Sequence, residues 1–187
     1  MQPAIDFRRI RLRDLGEHDR AAFIAYQMDP RYRRLYDYDD APERPNRLFD
    51  LFLEWQRESP RINYQFGIFE RSSGRLLGCG GLRTTAGDAA VLGIELAPGE
   101  WGRFRLALDA ATALVEHGFD RLHLASIVGD TASGNSRVTK LASRFGASIL
   151  AHREGPPWMQ SRGWHEVQWA IARRDWQEVR NRLLDAR

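Results

Sequence analysis

Apolar and basic positions alternate over Phe7–Leu12 (FRRIRL), the pattern of a half-buried strand. From Asp14 the period lengthens. Ala21, Phe23, Ile24 and Tyr26 supply the apolar contacts of a helix reaching Met28, and Asp29-Pro30 stops it. The stretch RYRRLYDYDDAPERP is aromatic and highly charged, and reads as a short helix and loop on the surface. Asn46 is placed to cap a helix running through Glu58, with Leu48, Phe49, Leu51, Phe52 and Trp55 on its apolar side. Tyr64–Glu70 and Leu76–Arg83 read as two strands joined by a hairpin at Ser72-Ser73-Gly74. Ala86-Gly87-Asp88 gives a further turn, and Ala90–Leu96 the next strand.

In the second half, Leu106, Ala110, Leu114 and Ala107, Ala111, Val115 recur at helical spacing and predict a helix over Arg103–Phe119. Leu122–Val128 reads as a strand ending in a Gly129-Asp130-Thr131 turn. Asn135–Phe145 reads as a helix, with Gly146 in the position that closes it. Ser148–His152 is a strand, Gly155–Gly163 a loop, Glu166–Ala172 the last strand, and the tail from Asp175 an amphipathic helix. The order β-α-α-β-β-β-α-β-α-β-β-α passes from antiparallel strands into a β-α-β-α-β run. This predicts an α/β (mixed α+β) fold, a mixed sheet with helices on its faces, and one domain over 1–187.

Bulk properties narrow the classes. The 187 residues are 43% hydrophobic and 28% charged, as in a globular protein, and no apolar run approaches a membrane span. The N-terminus has no apolar signal core, so the cytoplasm is the expected location and no membrane partner is expected. The single cysteine, Cys79, cannot form an intrachain disulfide. It lies in the apolar run LLGCGGL, which favours packing over nucleophilic work. No residues have zinc-ligand spacing, so no metal is expected. The net charge of +3 is carried almost wholly by arginine, with Lys140 the only lysine. Guanidinium groups suit phosphate and carboxylate, which permits nucleic-acid contact without requiring it.

The segment Leu92–Asp109, LGIELAPGEWGRFRLALD, is the most informative. It reads as a strand leaving through Pro98-Gly99 directly into a helix, which places bare N–H groups where an anion can bind. With the opening RIRLRDLGEHDRAAFIAYQMDPRYRRLY, the hairpin FGIFERSSGRLLGCGGL, the helix GNSRVTKLASRFGA and the ending WHEVQWAIARRDW, it resembles the GNAT acyltransferase superfamily over nearly the whole chain. The nearest likeness is to its ribosomal-protein alanine acetyltransferase branch.

That resemblance implies a central, mostly antiparallel mixed sheet of about seven strands. It also implies acetyl-CoA as donor and an amine as acceptor. The donor residues it implies are Leu96, whose main-chain N–H would hold the carbonyl, then Trp101, Gly102, Arg103, Phe104, Arg105 and Leu106, and Asn135. One departure stands out. Where the family has Arg/Gln-x-x-Gly-x-Gly/Ala, this chain has Trp101, Phe104 and Leu106. Two readings follow. Either Arg103 and Arg105 replace lost backbone contacts and CoA still binds, or the pocket serves another donor or none. The tyrosine that many members use as general acid is here Ala142.

Proton removal from the amine needs a carboxylate or histidine. The resemblance sets the end of the Ala90–Leu96 strand beside the end of the Leu122–Val128 strand. If Ile94 faces the core, alternation turns Glu95 towards a cleft; otherwise Glu95 is a solvated strand-end residue. Asp130 is a second catalytic candidate or a simple turn aspartate. Asn135 is a pantetheine contact, a plain helix cap, or both. His152, Arg153, Trp158 and His165 surround the loop GPPWMQSRGW and would suit an acceptor, or else Trp158 and Trp164 pack the sheet edge. His117 reads as structural. The expected activity is transfer of a small acyl group to an amine. The rivals are the same fold using an aminoacyl-tRNA or carrier-protein thioester, and an inactive binding module. A homodimer is left open.

Overall fold

The computed structural model describes residues 4–36, 42–85 and 87–185. The strands are β1 (Ile5–Phe7), β2 (Ile10–Arg13), β3 (Asn63–Glu70), β4 (Leu76–Thr84), β5 (Ala89–Leu96), β6 (Ser126–Ala132), β7 (Ser148–Arg153) and β8 (Glu166–Ala172). The helices are α1 (Arg20–Gln27), α2 (Pro30–Tyr36), α3 (Arg44–Trp55), α4 (Phe104–Glu116), α5 (Ser136–Arg144), α6 (Pro157–Gln160) and α7 (Arg173–Asp185). The strands follow the order β1-β2-β3-β4-β5-β6-β8-β7. Pairing is antiparallel for β1–β2, β2–β3, β3–β4, β6–β8 and β7–β8, and parallel for β5–β6. The chain forms two compact units, whose boundaries fall at the end of β4, within β5 and within α4.

The first unit contains β1 to β4, the last half of β5 and most of α4. Its core is aromatic: Phe23 meets Tyr26, Phe49 and Phe52 at centroid distances of 5.2, 5.3 and 5.8 Å. Leu15, Tyr32, Phe69 and Cys79 complete this buried cluster. Edge-on and tilted contacts of this kind add about 0.5–1.5 kcal/mol each beyond area burial. The second unit contains the first half of β5, β6 to β8, α5 and α7. There Trp176 is buried and stacks on Phe145 at 5.4 Å. Trp169 lies over Gly129, where an added Cβ would come within 2.2 Å of the indole.

Most predicted elements are present, with instructive departures. The strand predicted over Phe7–Leu12 is two strands, because Arg8 takes a φ of 50° and turns the chain so that Phe7 pairs with Ile10. This is why the sheet has eight strands and not about seven. The helix predicted from Asp14 begins with a 3-10 turn at Glu17–Asp19, while Asp14 pairs with Arg61 at 2.9 Å. Tyr32, expected on the surface, is buried; Asp37–Ala41 of the same stretch lie outside the described residues. Asn46 caps nothing, since α3 already begins at Arg44 with Pro45 in its first turn and ends at Trp55.

The helix predicted through Phe119 ends at Glu116 and continues as a π-helical turn, His117–Arg121. The strand predicted over Leu122–Val128 starts four residues later and runs through Ala132. Gly129, Asp130 and Thr131 are therefore inside β6, paired with Trp169, Gln168 and Val167, and form no turn. The loop Gly155–Gly163 contains α6, and the final helix begins at Arg173. Of the turn predicted at Ala86-Gly87-Asp88, Ala86 lies outside the described residues.

Candidate active site

The end of β5 carries a cluster of polar side chains in the first unit. Gly78 on β4 has φ 153°, and a Cβ there would meet the Glu95 carbonyl oxygen at 2.2 Å. Glycine thus lets β5 close tightly on β4 and brings Glu95 next to Cys79. The Glu95 carboxylate is half-buried and gathers four donors. Oε1 accepts from the Tyr26 hydroxyl at 2.6 Å, Gln27 Nε2 at 2.7 Å and the Cys79 thiol at 3.1 Å. Oε2 accepts a short bond from the Tyr32 hydroxyl. The donors are cross-linked, since Gln27 Nε2 also reaches the Tyr32 oxygen at 3.0 Å and Tyr26 lies 3.1 Å from the Cys79 sulfur.

Burial pushes the Cys79 thiol well up, and the neighbouring Glu95 charge adds to this. Burial, then Cys79 and Glu95, do the same to Tyr26. Both groups therefore stay protonated as hydrogen-bond donors at neutral pH. This excludes Cys79 as a thiolate nucleophile in this state. Sequence reasoning singled out Glu95 and missed Tyr26, Gln27 and Tyr32 as its partners. They sit on α1 and α2, and nothing in sequence spacing links them to β5.

Beyond Glu95 the chain makes the 3-10 turn Pro98–Glu100. Trp101 is not a free groove residue: its indole N–H donates to the Leu96 carbonyl at 2.8 Å and its ring packs on the aromatic core. Gly102 has φ 91° and is exposed, with nothing within 4 Å of where a Cβ would stand. The Phe104 amide donates to the Gly102 carbonyl at 2.9 Å and the Leu106 amide to the Arg103 carbonyl at 2.9 Å. Two of the first three helical amides are thus used inside the turn. The expectation of bare N–H groups fails at these two positions.

Glu100, which sequence reasoning overlooked, is buried. It accepts from Arg75 at 2.5 Å and, by a short bond, from Arg103. Burial acts to raise it, but the two guanidiniums win and hold it below the usual carboxylate range. Its only sequence signal was an arginine three residues on. Arg105 is exposed and forms no ion pair with a described residue. Phe104 and Leu106 line a cavity of about 390 Å³ with Ile10, Leu77, Arg9 and Asp109. Leu106 is buried and Phe104 half-buried. Asp109 is buried, and burial raises it despite Arg8 at 3.4 Å and the nearby Arg9 and Arg105.

In the second unit the candidates separate by strand alternation. Arg153 donates to Gln168 at 2.9 Å, and Gln168 donates to Asp130 at 3.1 Å, a chain across β7, β8 and β6. His152, next to Arg153, points to the other face and meets His165, ring nitrogen to ring nitrogen, at 2.9 Å. Trp158 and Trp164 flank the Arg162 guanidinium at 5.5 and 5.3 Å, and Trp164 packs onto Gly134. Asn135 caps α5, its Oδ1 accepting from the Val138 amide at 3.3 Å. Among the described residues no three His, Cys, Asp or Glu side chains group to hold a metal. Among the described residues no helix is long and apolar enough to cross a membrane.

A family model described as an acetyltransferase (GNAT) domain matches residues 9–148. Among solved structures, the chain resembles the ribosomal-protein-S5-alanine acetyltransferase from Vibrio fischeri. The TM-score is 0.76 at 14% identity, over 94% of this chain and 99% of that one. It also resembles the spermidine N-acetyltransferase from Vibrio cholerae in complex with CoA and spermine, with TM-score 0.75 and 17% identity over 90% and 98% of the two chains. A GCN5-related N-acetyltransferase from Brucella melitensis aligns with TM-score 0.76 and 15% identity over 98% and 85%. No functionally curated protein matches the sequence.

Proposed function

Because this chain belongs to the GNAT acetyltransferase family, we propose that it transfers an acetyl group from acetyl-CoA directly to an amine, with Glu95 as general base. The observation that carries this reading is the Glu95 carboxylate, fixed by four donors at the end of the strand that leads into the turn before α4. Acetyl-CoA supplies an activated thioester. The chain holds the reacting amine near Glu95, which takes its proton through water as the N–C bond forms; the tetrahedral adduct then collapses, the C–S bond breaks, and CoA leaves as a thiolate protonated from water. The Leu96 main-chain N–H is the donor for the developing oxyanion. Cys79 stays a thiol and forms no acyl intermediate.

The residues of the turn fit a CoA pyrophosphate in a modified way. Gly102 leaves the backbone open to approach, and Arg105 offers an exposed guanidinium. Arg103 is engaged by Glu100 and contributes less. The inward-bonded amides of Phe104 and Leu106 favour a second reading, in which the donor is an aminoacyl-tRNA or a carrier-protein thioester. The acceptor is an amine of a class shared with relatives: a ribosomal-protein alanine or a polyamine, the classes named for the Vibrio proteins.

The test is a thiol-release assay with acetyl-CoA and a panel of peptide N-termini and polyamines, with product mass read in parallel. Turnover on one acceptor, strongly reduced in Glu95→Gln, is expected. Absence of turnover on every amine, or unchanged turnover in Glu95→Gln, would overturn the reading.

A further inference from the structure

We propose that the outer face of α5 docks the phosphate backbone of a nucleic-acid strand. The face has an unusual composition. Its exposed residues are Ser136, Arg137, Thr139, Lys140, Ser143 and Arg144, all hydroxyl-bearing or cationic, while Val138, Leu141 and Ala142 turn inward. The helix holds no acidic residue. Arg137, Lys140 and Arg144 follow i, i+3, i+7 spacing and form one stripe of roughly 10 Å.

Many arginines on other elements meet a carboxylate, Arg105 being an exception. Arg11, Arg13, Arg20, Arg61 and Arg103 each bond a carboxylate. On α5 neither Arg137 nor Lys140 makes an ion pair with a described residue. The placement is also unfavourable for the helix alone. Arg137 stands in the first turn, where the helix dipole disfavours a cation, and like charges at i, i+3 and i, i+4 each cost a few tenths of a kcal/mol. A bound polyanion reverses both penalties.

The chemistry selects among polyanions. A lipid surface is held firmly only where apolar anchors add to the cations, and protein interfaces centre on aromatic or aliphatic contacts; α5 presents neither. A phosphate backbone is held by cations and hydroxyls alone, so binding here is independent of base sequence. This inference does not rest on the acetyl-transfer reading, and its test uses no activity.

The probe is a fluorescein-labelled single-stranded RNA of about 20 nucleotides, followed by anisotropy between about 50 and 200 mM salt. The full-length chain is compared with Arg137→Gln/Lys140→Gln/Arg144→Gln and with a charge-matched control, Arg31→Gln/Arg57→Gln/Arg174→Gln, at exposed positions on other elements. The expected result is a loss of about tenfold or more for the α5 variant. The slope of log affinity against log salt should flatten by about 0.7 per cation removed. The control should bind as the parent does. Arg137→Lys/Arg144→Lys should also retain binding, and equal melting temperatures show that folding is intact. Three results overturn the proposal: no RNA binding by the parent, an equal loss in the control, or displacement of RNA by micromolar CoA, which would assign α5 to the donor's nucleotide.

Discussion

Replacing Glu95 with alanine tests whether this residue is the hub of a buried network or a solvated strand end. In the network, the change removes the acceptor for Tyr26, Gln27, Tyr32 and Cys79 at once. Some donors can re-pair. Tyr26 lies 3.1 Å from the Cys79 sulfur, and Gln27 Nε2 lies 3.0 Å from the Tyr32 oxygen. The change still removes the bonds that the Tyr32 hydroxyl and the Cys79 thiol make to a charged acceptor, in residues each 1% exposed. Losing one buried hydroxyl bond to a charged group costs about 1.5–3 kcal/mol, and the weaker thiol bond brings the sum to roughly 2–4 kcal/mol. For a chain of this size that is a fall in melting temperature of roughly 5–15 °C. Tyr32→Phe should cost less, about 1.5–3 kcal/mol, because Gln27 keeps its bond to Glu95. Urea melts at pH 7, read by tryptophan fluorescence, give the values. A change below about 0.5 kcal/mol for Glu95→Ala, the range of ordinary surface substitutions, would refute the network.

Two further substitutions carry pH signatures of opposite sign. Glu100 is held below its ordinary range by Arg75 and Arg103, so its stabilisation is present at neutral pH and lost as pH falls below about 4.5. Glu100→Gln should cost about 1–2 kcal/mol at pH 7, discounted because both arginines are half-exposed, and the gap to the parent should narrow as pH falls below about 4.5 in urea melts. Asp109 is raised by burial, so the folded state favours its protonated form and loses stability as pH rises through and above about 3.8. Asp109→Asn should melt higher than the parent at pH 7 and show no gain at pH 3. A gain that is independent of pH would remove Asp109's charge as its cause.

The family architecture was legible because long apolar periodicities and a few glycines fix it. Leu106, Ala110 and Leu114 on α4, Gly146 after α5, and the β3–β4 hairpin were read at nearly their true bounds. Errors fell where one backbone angle or one side-chain direction decides. Nothing in FRRIRL announces that Arg8 turns left-handed and splits the strand. Nothing in local pattern says that Asp130 stays inside β6, because a strand's length is set by its pairing with β8. At the site, Glu95 was visible as the residue out of phase with Ile94. Its donors come from α1, α2 and β4, joined to it only by tertiary packing. His152 and Arg153, both set beside the acceptor loop, face opposite ways, as neighbours on a strand must.

The central claim is that this chain binds acetyl-CoA through an altered turn and passes its acetyl group to an amine. Calorimetric titration with acetyl-CoA, and alongside it free CoA, tests this most directly. The account predicts micromolar binding, weakened in Arg105→Gln far more than in Arg103→Gln. No heat of binding at millimolar CoA would contradict it and leave the aminoacyl-tRNA and carrier-protein donors to be tried.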